Sequence, residues 1–540
     1  MNQEYKNIII TGFMGTGKTT VGEEVARRLN RKFYDTDRMI ESQNNLSILD
    51  IFNKFGEAHF RELERNIFQR LLTTTKDAVI ATGGGTLLFL KNGEKSLNSS
   101  IIFCLSSRSE ILIKRLTRSS SRPLLQKEEL EENISTLLKK REKEYHKMGH
   151  QIDTSDISPV QVAKKIIRIY RLAVGSDCES TAKLKVEINP QSHSYTIEIK
   201  AEIIKEAGRL IKKSSSPGKV VVLTNDLVYS LYYQELKGSL DQSRLDNQVI
   251  IVPDGERYKS LKTCHYIINQ LIEYRADRSS VLITLGGGVI CDLGGFVAAT
   301  YMRGIPLVHI PTTLVAQIDA SIGGKTAADH PRAKNLIGAF YQPRLVLCDP
   351  EVLKTLRRKD LLNGLFEAIK IALVCDKELF FFIADNQNGI LKRDQDILRP
   401  LIVRCIREKV QIVEKDPLDE NLRAILNFGH TFAHALETNG KYRSISHGQA
   451  VGLGMLLAFR LSNILGHLPE RKTKEAYELI ARLVKFDMLK KMDPRETWDT
   501  MALDKKAKQG KVRFVLLQDI GKPVIEEVSR KVFFKALERL

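Results

Sequence analysis

Over residues 7–171, short apolar runs alternate with longer stretches whose apolar positions recur every three or four residues. The runs at 7–11, 78–81 and 101–105 are apolar with little alternation, the pattern of strands covered on both faces. A shorter run at 32–34 reads the same way, and the periodicity at 19–29 and 58–72 predicts amphipathic helices. Strand and helix in alternation predict an α/β domain with a parallel sheet over 1–174. The serines at 119–121, followed by Arg122-Pro123, read as a surface loop. Residues 175–185 are small, polar and aperiodic, as a linker is. A second strand-rich region follows, with apolar runs at 220–223, 249–252, 281–284 and 307–310, and predicts another α/β domain over 186–358. From about Lys359 the periodicity becomes that of long helices with few strand signals, so 359–540 is expected as a helical domain packed on the second.

Composition narrows the class. At 540 residues the chain is too long for one ordinary core. Hydrophobic content of 43% and charged content of 28% are those of a globular protein. Residues 1–7 are polar, and the longest apolar stretch, 450–459, is about half of what a membrane span needs, so a cytoplasmic protein without a membrane segment is expected. Seven dispersed cysteines without a CxxC pair fit reduced, buried thiols. The formal charge of +19 raises nucleic-acid binding, but Lys and Arg are spread along the whole chain, with no aromatic-interleaved basic stripe and no zinc-finger spacing. Small anionic substrates account for it, and no nucleic-acid partner is expected.

Two sets of residues carry chemistry. Gly12 to Thr19 match the pattern GxxxxGK(S/T) between a buried strand and a helix start. Backbone amides from Gly15, Thr16, Gly17 and Thr20 can cradle a triphosphate there, Lys18 can reach its terminal phosphates, and Thr19 can ligate Mg²⁺. Asp35 and Asp37 stand at the end of the next strand, where one carboxylate can serve the metal and the other a substrate hydroxyl. In the second half, Gly286, Gly287 and Gly288 follow a strand and permit close approach of a pyrophosphate. Asp254, Glu256 and Lys259 in and after a tight turn suit a ribose or pyrophosphate, and Thr312 and Thr313 add hydroxyls after another strand. Glu367 with Lys370 one turn on, His430 and His434 at i,i+4, and His447 offer a carboxylate and imidazoles. Two imidazoles and one carboxylate make a zinc-type site with open positions, though spacing alone does not choose two of the three histidines.

The ordered series of the loop at 12–19, Asp35-Thr36-Asp37, Phe60-Arg61-Glu62-Leu63-Glu64, Gly83-Gly84-Gly85 and Arg122-Pro123-Leu124-Leu125 resembles the shikimate kinases over nearly all of 6–170. The resemblance implies a P-loop kinase fold, ATP with Mg²⁺ as cofactor, and shikimate as substrate. It implies Asp35 holding Mg²⁺ through water, and Asp37, Arg61, Gly83, Gly84, Gly85 and Arg141 holding shikimate. Arg115 is implied against the adenine and Arg122 as a lid arginine at the transferring phosphoryl group, with Lys18 and Asp37 completing the catalytic set. Lys143 stands where that family usually has proline. The bland alternative for Arg61 and Glu64, at i,i+3, is a surface ion pair.

Residues 190–530 are similar to the 3-dehydroquinate synthases through PDGE at 253–256, GGGVICDLGGF at 286–296, PTTLVAQIDASIGGKT at 311–326, GLFEAIK at 364–370, LRAILNFGHTFAHALE at 422–437 and HGQAVGLGM at 447–455. This resemblance implies a dehydroquinate-synthase-like α/β NAD-binding domain, then a mostly helical metal- and substrate-binding domain. It implies Glu367, His430 and His447 as ligands of one divalent metal, Zn²⁺ or Co²⁺, and His434 on the substrate side. It further implies Asp319, Lys325, Lys370, Lys409, Arg423 and Asn427 lining the pocket, and Arg303, Lys334, Asn335 and Lys506 contacting substrate. Lys325, Lys370, Lys409 and His434 are the expected catalytic side chains. NAD⁺ is implied against Asp254, Glu256, Lys259, Gly287, Gly288, Asp292, Thr312 and Thr313. The implied reaction converts 3-deoxy-arabino-heptulosonate 7-phosphate to 3-dehydroquinate and phosphate, by oxidation, elimination, re-reduction and ring closure. A homodimer through this half is expected. Cys291, Ala320 and Asp419 depart from that family's usual glycine, serine and glutamate. The alternative is another P-loop polyol kinase joined to a sister sugar-phosphate cyclase.

Overall fold

The computed structural model describes residues 7–88, 100–117, 136–138, 141, 144–145, 148–173, 181–188, 193–215, 217–331, 333–440, 445–503 and 511–540. The chain divides into two compact units, Met1–Cys178 and Glu179–Leu540.

In the first unit, strands β1 (Asn7–Gly12), β2 (Lys32–Asp35), β3 (Ala78–Ala81), β4 (Ser100–Ser106) and β5 (His150–Asp153) form one sheet in the order β2-β3-β1-β4-β5. Every pairing in it is parallel. β1 is central and buried along its whole length, as its uninterrupted apolar run requires. Helices Lys18–Arg28 and Pro159–Ala173 pack together on one face. The helix expected at 58–72 belongs to a longer one, Ile48–Thr74, broken at Gly56, which has φ 79°. In the order β2-β3-β1-β4-β5 the strand following β1 lies on one side of it and the strand following β3 on the other, so the carboxyl end of β1 is where a doubly wound sheet opens a ligand crevice.

In the second unit, β6 (Thr181–Val186), β7 (Tyr195–Lys200), β8 (Val220–Asn225), β9 (Asn247–Val252), β10 (Val281–Gly286), β11 (Leu307–Pro311) and β14 (Leu345–Cys348) form a sheet ordered β6-β7-β14-β11-β10-β8-β9. It is parallel except for the β6–β7 pair. β6 begins inside the stretch expected as a linker, which corrects that boundary. Its sequence, TAKLKV, alternates polar and apolar residues as a half-exposed edge strand does and offers no apolar run to read. A hairpin, β12 (Lys325–His330) and β13 (Ala333–Phe340), stands apart from the sheet.

The helical region holds Arg358–Cys375, Lys377–Leu391, Gln395–Lys415, His430–Asn439, His447–Ile464, Glu470–Ala481, Pro494–Leu503 and Arg530–Leu537. It also contains an antiparallel hairpin, β15 (Lys511–Asp519) and β16 (Lys522–Ser529), where few strand signals were expected. One apolar cluster runs from Val186 on the sheet through Phe366, Phe428 and Phe459 to Phe533, so the sheet and the helices share a core. Among the described residues no helix is long and apolar enough to cross a membrane. Of the cysteines described, 104, 264, 291, 348 and 405 are buried and none is in a disulfide.

Candidate active sites

The first site lies at the carboxyl end of β1. Gly12 has φ 135°, and a Cβ there would sit 2.2 Å from the Leu105 carbonyl oxygen, so β1 can turn against β4 only with glycine. The loop closes through the Thr16 hydroxyl, which donates to the Phe13 carbonyl at 2.8 Å. Gly17 is left-handed (φ 90°) and starts helix Lys18–Arg28 with no side-chain cap, leaving its first amides available to an anion. Lys18 Nζ donates to the Phe13 carbonyl at 3.1 Å, across the mouth of the loop. Thr19 Oγ1 donates to Asp35 Oδ2 at 2.7 Å, so the two residues expected at Mg²⁺ already touch. Asp35 Oδ1 meanwhile accepts from the Asp37 and Arg38 amides, capping helix Thr36–Asn44 and fixing the carboxylate. A set of hydroxyl, carboxylate and helix-terminal amides without a side-chain cap fits Mg²⁺ with a triphosphate.

The expected shikimate contacts gather beside it. A Cβ on Gly83 would fall 2.2 Å from Glu64 Oε1 and 2.9 Å from Asp37 Oδ1, and one on Gly85 would fall 2.5 Å from Arg61 Nη1. Asp37, Arg61 and the glycine turn therefore line one place. Arg61 Nη1 pairs with Glu64 Oε2 at 2.8 Å, and Glu64 also accepts from Thr86 Oγ1 at 2.5 Å. The Glu64 side chain is only 2% exposed, so the pair is not the solvated one that its spacing suggests. Arg115 donates to the Thr154 carbonyl at 2.8 Å and to the Gly15 carbonyl at 3.4 Å, placing it against the loop. Arg141 lies beside the Tyr145 hydroxyl, and that hydroxyl donates to the Gly84 carbonyl at 2.5 Å. Glu64 and Tyr145 were not singled out as site residues. A glutamate inside a helix and a lone tyrosine carry no local signal for this. Arg122 and Lys143 lie outside the described residues.

The second site begins at the carboxyl ends of β8 to β11. Gly287 precedes helix Gly288–Thr300, and a Cβ on it would meet Thr313 Cγ2 at 3.0 Å. Thr312 is buried and its hydroxyl has no hydrogen-bond partner among the described residues. An orphaned hydroxyl beside a helix N-terminus fits a dinucleotide. Asp254 accepts from Asn225 Nδ2 at 2.9 Å. Lys259 is buried and reaches Asp292 Oδ2 and Asn335 Oδ1, each at 2.5 Å, while Lys334 pairs with Glu256 at 3.2 Å. These bonds tie the hairpin β12–β13 to the loop after β9. Burial pushes the Asp292 carboxyl up to about 6, against the pull of Lys259. Cys291 is buried against Thr284, and Ala320 faces Gly288, so neither departure opens the loop.

Below it, Glu367 is buried on helix Arg358–Cys375, and His430 and His447 each open a helix. One ligand atom from each of the three lies within 4.8 Å of the others. His447 Nε2 is 3.1 Å and His430 Nε2 3.6 Å from Glu367 Oε1. His434 is exposed, its ring edge-on to His430 at 5.5 Å, and it is not in that group. Burial works against charge on His447, yet hydrogen bonds to Glu367 and Glu437 push it up to about 10, whereas burial and the neighbouring Lys370 hold His430 well below the ordinary imidazole value. Two imidazoles and a buried carboxylate fit a divalent metal.

Close helix contacts bring these residues together. A Cβ on Gly448 would fall 2.5 Å from Asn363 Cα, and one on Gly452 2.7 Å from the Phe366 ring, which seats helix His447–Ile464 on the helix carrying Glu367. A Cβ on Gly454 would fall 1.9 Å from the Gly429 carbonyl oxygen, so the same helix meets the start of His430–Asn439. Gly454→Ala is expected to cost about 1–3 kcal/mol by overpacking, lowering the calorimetric unfolding temperature of this unit. An unchanged transition would show that the helices can part at no cost.

Cations crowd the neighbouring pocket. Lys370 Nζ pairs with Glu367 Oε2 at 2.5 Å and lies 3.9 Å from Asp319 Oδ2. Lys409 pairs with Asp319 Oδ1 and donates to its carbonyl at 2.6 Å. Arg423 is buried and donates to the Gly323 carbonyl at 2.9 Å, and Asn427 ends the turn Leu422–Asn427 just before His430. Lys325 pairs with Asp419, so the shorter acid in place of glutamate still reaches its partner. Arg303 is exposed, on a turn with φ 63°, and among the described residues no ion pair brings it into this cluster; Lys506 lies outside the described residues.

Family models match the chain in three places: Shikimate kinase over 14–171, 3-dehydroquinate synthase N-terminal over 249–363 and 3-dehydroquinate synthase C-terminal over 364–507. The chain is 41% identical over 342 residues to a 3-dehydroquinate synthase of Pelobacter propionicus, covering 63% of this chain and 95% of that protein. It is 42% identical over 361 residues to the one of Thermodesulfovibrio yellowstonii, covering 66% and 99%. Among solved structures it is similar to ValA, a 2-epi-5-epi-valiolone synthase from Streptomyces hygroscopicus with NAD⁺ and Zn²⁺ bound, at 26% identity and a TM-score of 0.59, covering 64% of this chain and 96% of that one.

Proposed function

Because the chain belongs to the 3-dehydroquinate synthase family and carries a shikimate kinase domain ahead of that region, we propose that Glu367, His430 and His447 hold one divalent cation beside a dinucleotide, while Lys18, Thr19 and Asp35 hold Mg²⁺ and ATP. The protein is a bifunctional enzyme of aromatic-amino-acid biosynthesis. It phosphorylates shikimate with ATP to shikimate 3-phosphate, and it converts 3-deoxy-arabino-heptulosonate 7-phosphate to 3-dehydroquinate and phosphate. NAD⁺ and Zn²⁺ or Co²⁺ serve the second reaction; when bound, they supply reversible hydride transfer and polarisation of the oxygen under oxidation.

The observation that carries the reading is the metal-type cluster placed against Lys370, Lys409 and Arg423, which suit an anionic sugar phosphate. Asp319 pairs with Lys409 and lies 3.9 Å from Lys370, while Glu367 pairs with Lys370, so both ammonium groups are held by carboxylates before substrate arrives. His434, exposed one turn beyond His430, is suited to a proton on the substrate side. In the other reaction, Asp37 receives the proton of the accepting hydroxyl, and Arg61 with Arg141 clamps the carboxylate. The reading extends to a homodimer through the 179–540 unit and to the cytoplasm, both from the family resemblance. The direct test is purified chain with the sugar phosphate, NAD⁺ and Zn²⁺, assayed for phosphate release, and with shikimate and ATP, assayed for ADP. Absence of phosphate release from metal-loaded protein would refute the cyclase assignment.

The pocket lysines make that activity pH-dependent. Burial, with Arg423 and Lys370 nearby, outweighs Asp319 and pulls Lys409 down to about 8. Lys409 is therefore a cation below that value and neutral above it. KM for the sugar phosphate is expected to rise above pH 8, approaching roughly tenfold per unit as one proton is lost. Lys409→Met should weaken binding and flatten this limb. A limb of the same shape in the variant would assign it elsewhere.

A further inference from the structure

Glu437 lies on helix His430–Asn439, seven residues and two turns beyond His430, and is 6% exposed. Nothing in the two reactions calls for a second carboxylate there. Its Oε1 is 3.3 Å from Nδ1 of His447, while Nε2 of the same ring faces Glu367 at 3.1 Å. His447 is thus held between two carboxylates, one on each ring nitrogen. His430 has a parallel arrangement, its Nδ1 lying 3.3 Å from the Phe428 carbonyl while its Nε2 faces Glu367. Both imidazoles have an acceptor behind them and a common point in front. Among the described residues, the charged or titratable groups that act on Glu437 besides His447 include His434 and Lys334.

We propose that Glu437 is a positioning residue for the metal site, holding His447 with Nδ1 protonated and Nε2 turned to the cation. The inference rests on the reading of Glu367, His430 and His447 as the ligand set. An imidazole binds a metal through one nitrogen only when the other carries the proton, and an acceptor on that second nitrogen fixes both the tautomer and the ring angle. Glu437 does so from the helix that bears His430, so the same element presents one ligand and orients another.

The test is zinc affinity of the full-length chain, measured by competition with a chromophoric chelator, without substrate or NAD⁺. Glu437→Ala should weaken it roughly 10–100-fold, the range for losing an outer-shell partner of a ligating histidine. Glu437→Gln keeps the shape and an acceptor oxygen but not the charge, and should lose less. Melting of each metal-free variant separates orientation from packing. If both variants bind zinc within twofold of the parent, the proposal is overturned. It is also overturned if Glu437→Gln binds as the parent does and Glu437→Ala loses affinity together with metal-free stability, because that is a packing role. His447→Ala is the control for the underlying reading: if it too leaves zinc affinity unchanged, the ligand set is wrong and the proposal falls with it. If only His447→Ala loses zinc, the ligand set stands and the role of Glu437 alone is lost.

Discussion

Replacing His430 with alanine is expected to abolish NAD⁺-dependent phosphate release while shikimate phosphorylation by the same chain continues at the parental rate. His430 supplies one of two imidazoles in the three-residue group. Its Nδ1 is turned to the Phe428 carbonyl, which leaves Nε2 for the cation. Without it, one carboxylate and one imidazole remain, fewer than the three protein ligands of a catalytic zinc site. Bound zinc should fall below one per chain, and activity should drop by more than the roughly 10–100-fold that an outer-shell loss produces. The substitution is a fair one structurally: the helix is entered through left-handed Gly429 with no side-chain cap, so alanine removes no cap. Metal analysis and phosphate release on the same preparation check it. Phosphate release at the parental rate from folded His430→Ala would remove the basis of the ligand assignment. Loss of kinase activity as well would contradict independent sites, since the kinase residues all belong to the other unit.

What the sequence makes legible here depends on how local the cause is. The loop at 12–19 and the glycines at 286–288 are read directly, because strand, turn and helix start are consecutive in the chain. The choice among three histidines is not local. His430 and His434 share a helix face, and which one meets Glu367 depends on how helices cross at Gly429, Gly448, Gly452 and Gly454. That is a matter of packing distance, to which i,i+4 spacing is blind. Glu64 and Glu437 fail for the same reason: a glutamate in an amphipathic helix reads as a solvated charge, and only tertiary burial shows a partner on the far side. In the hairpin β15–β16, the buried run at 514–517 gives β15 a strand signal, but β16 carries Glu526 and Glu527 and is half-exposed, so it lacks the apolar run that marks a covered strand. The strand β6 inside the expected linker is the same case at a sheet edge.

Lys18→Ala should produce the mirror result: phosphoryl transfer to shikimate falls on the order of 10³-fold, the scale for removing one charge-stabilising donor, and phosphate release from the sugar phosphate is unchanged. Catalysis of in-line phosphoryl transfer is mostly positioning and charge neutralisation, so a single well-placed cation carries much of the rate. Lys18 is well placed because the loop around it has little freedom. Gly12 is pressed on the Leu105 carbonyl, Thr16 closes the turn onto Phe13, and the ammonium already spans the loop to the Phe13 carbonyl at 3.1 Å. Moving from that carbonyl to a phosphate oxygen exchanges one acceptor for a charged one and requires no backbone change. Lys18→Arg should restore little, since a planar fork does not reproduce a compact ammonium in so tight a loop. ADP release with saturating shikimate measures the effect, and bound ATP analogue separates lost affinity from lost rate. Kinase activity within tenfold of the parent would mean that the terminal phosphates are neutralised without Lys18.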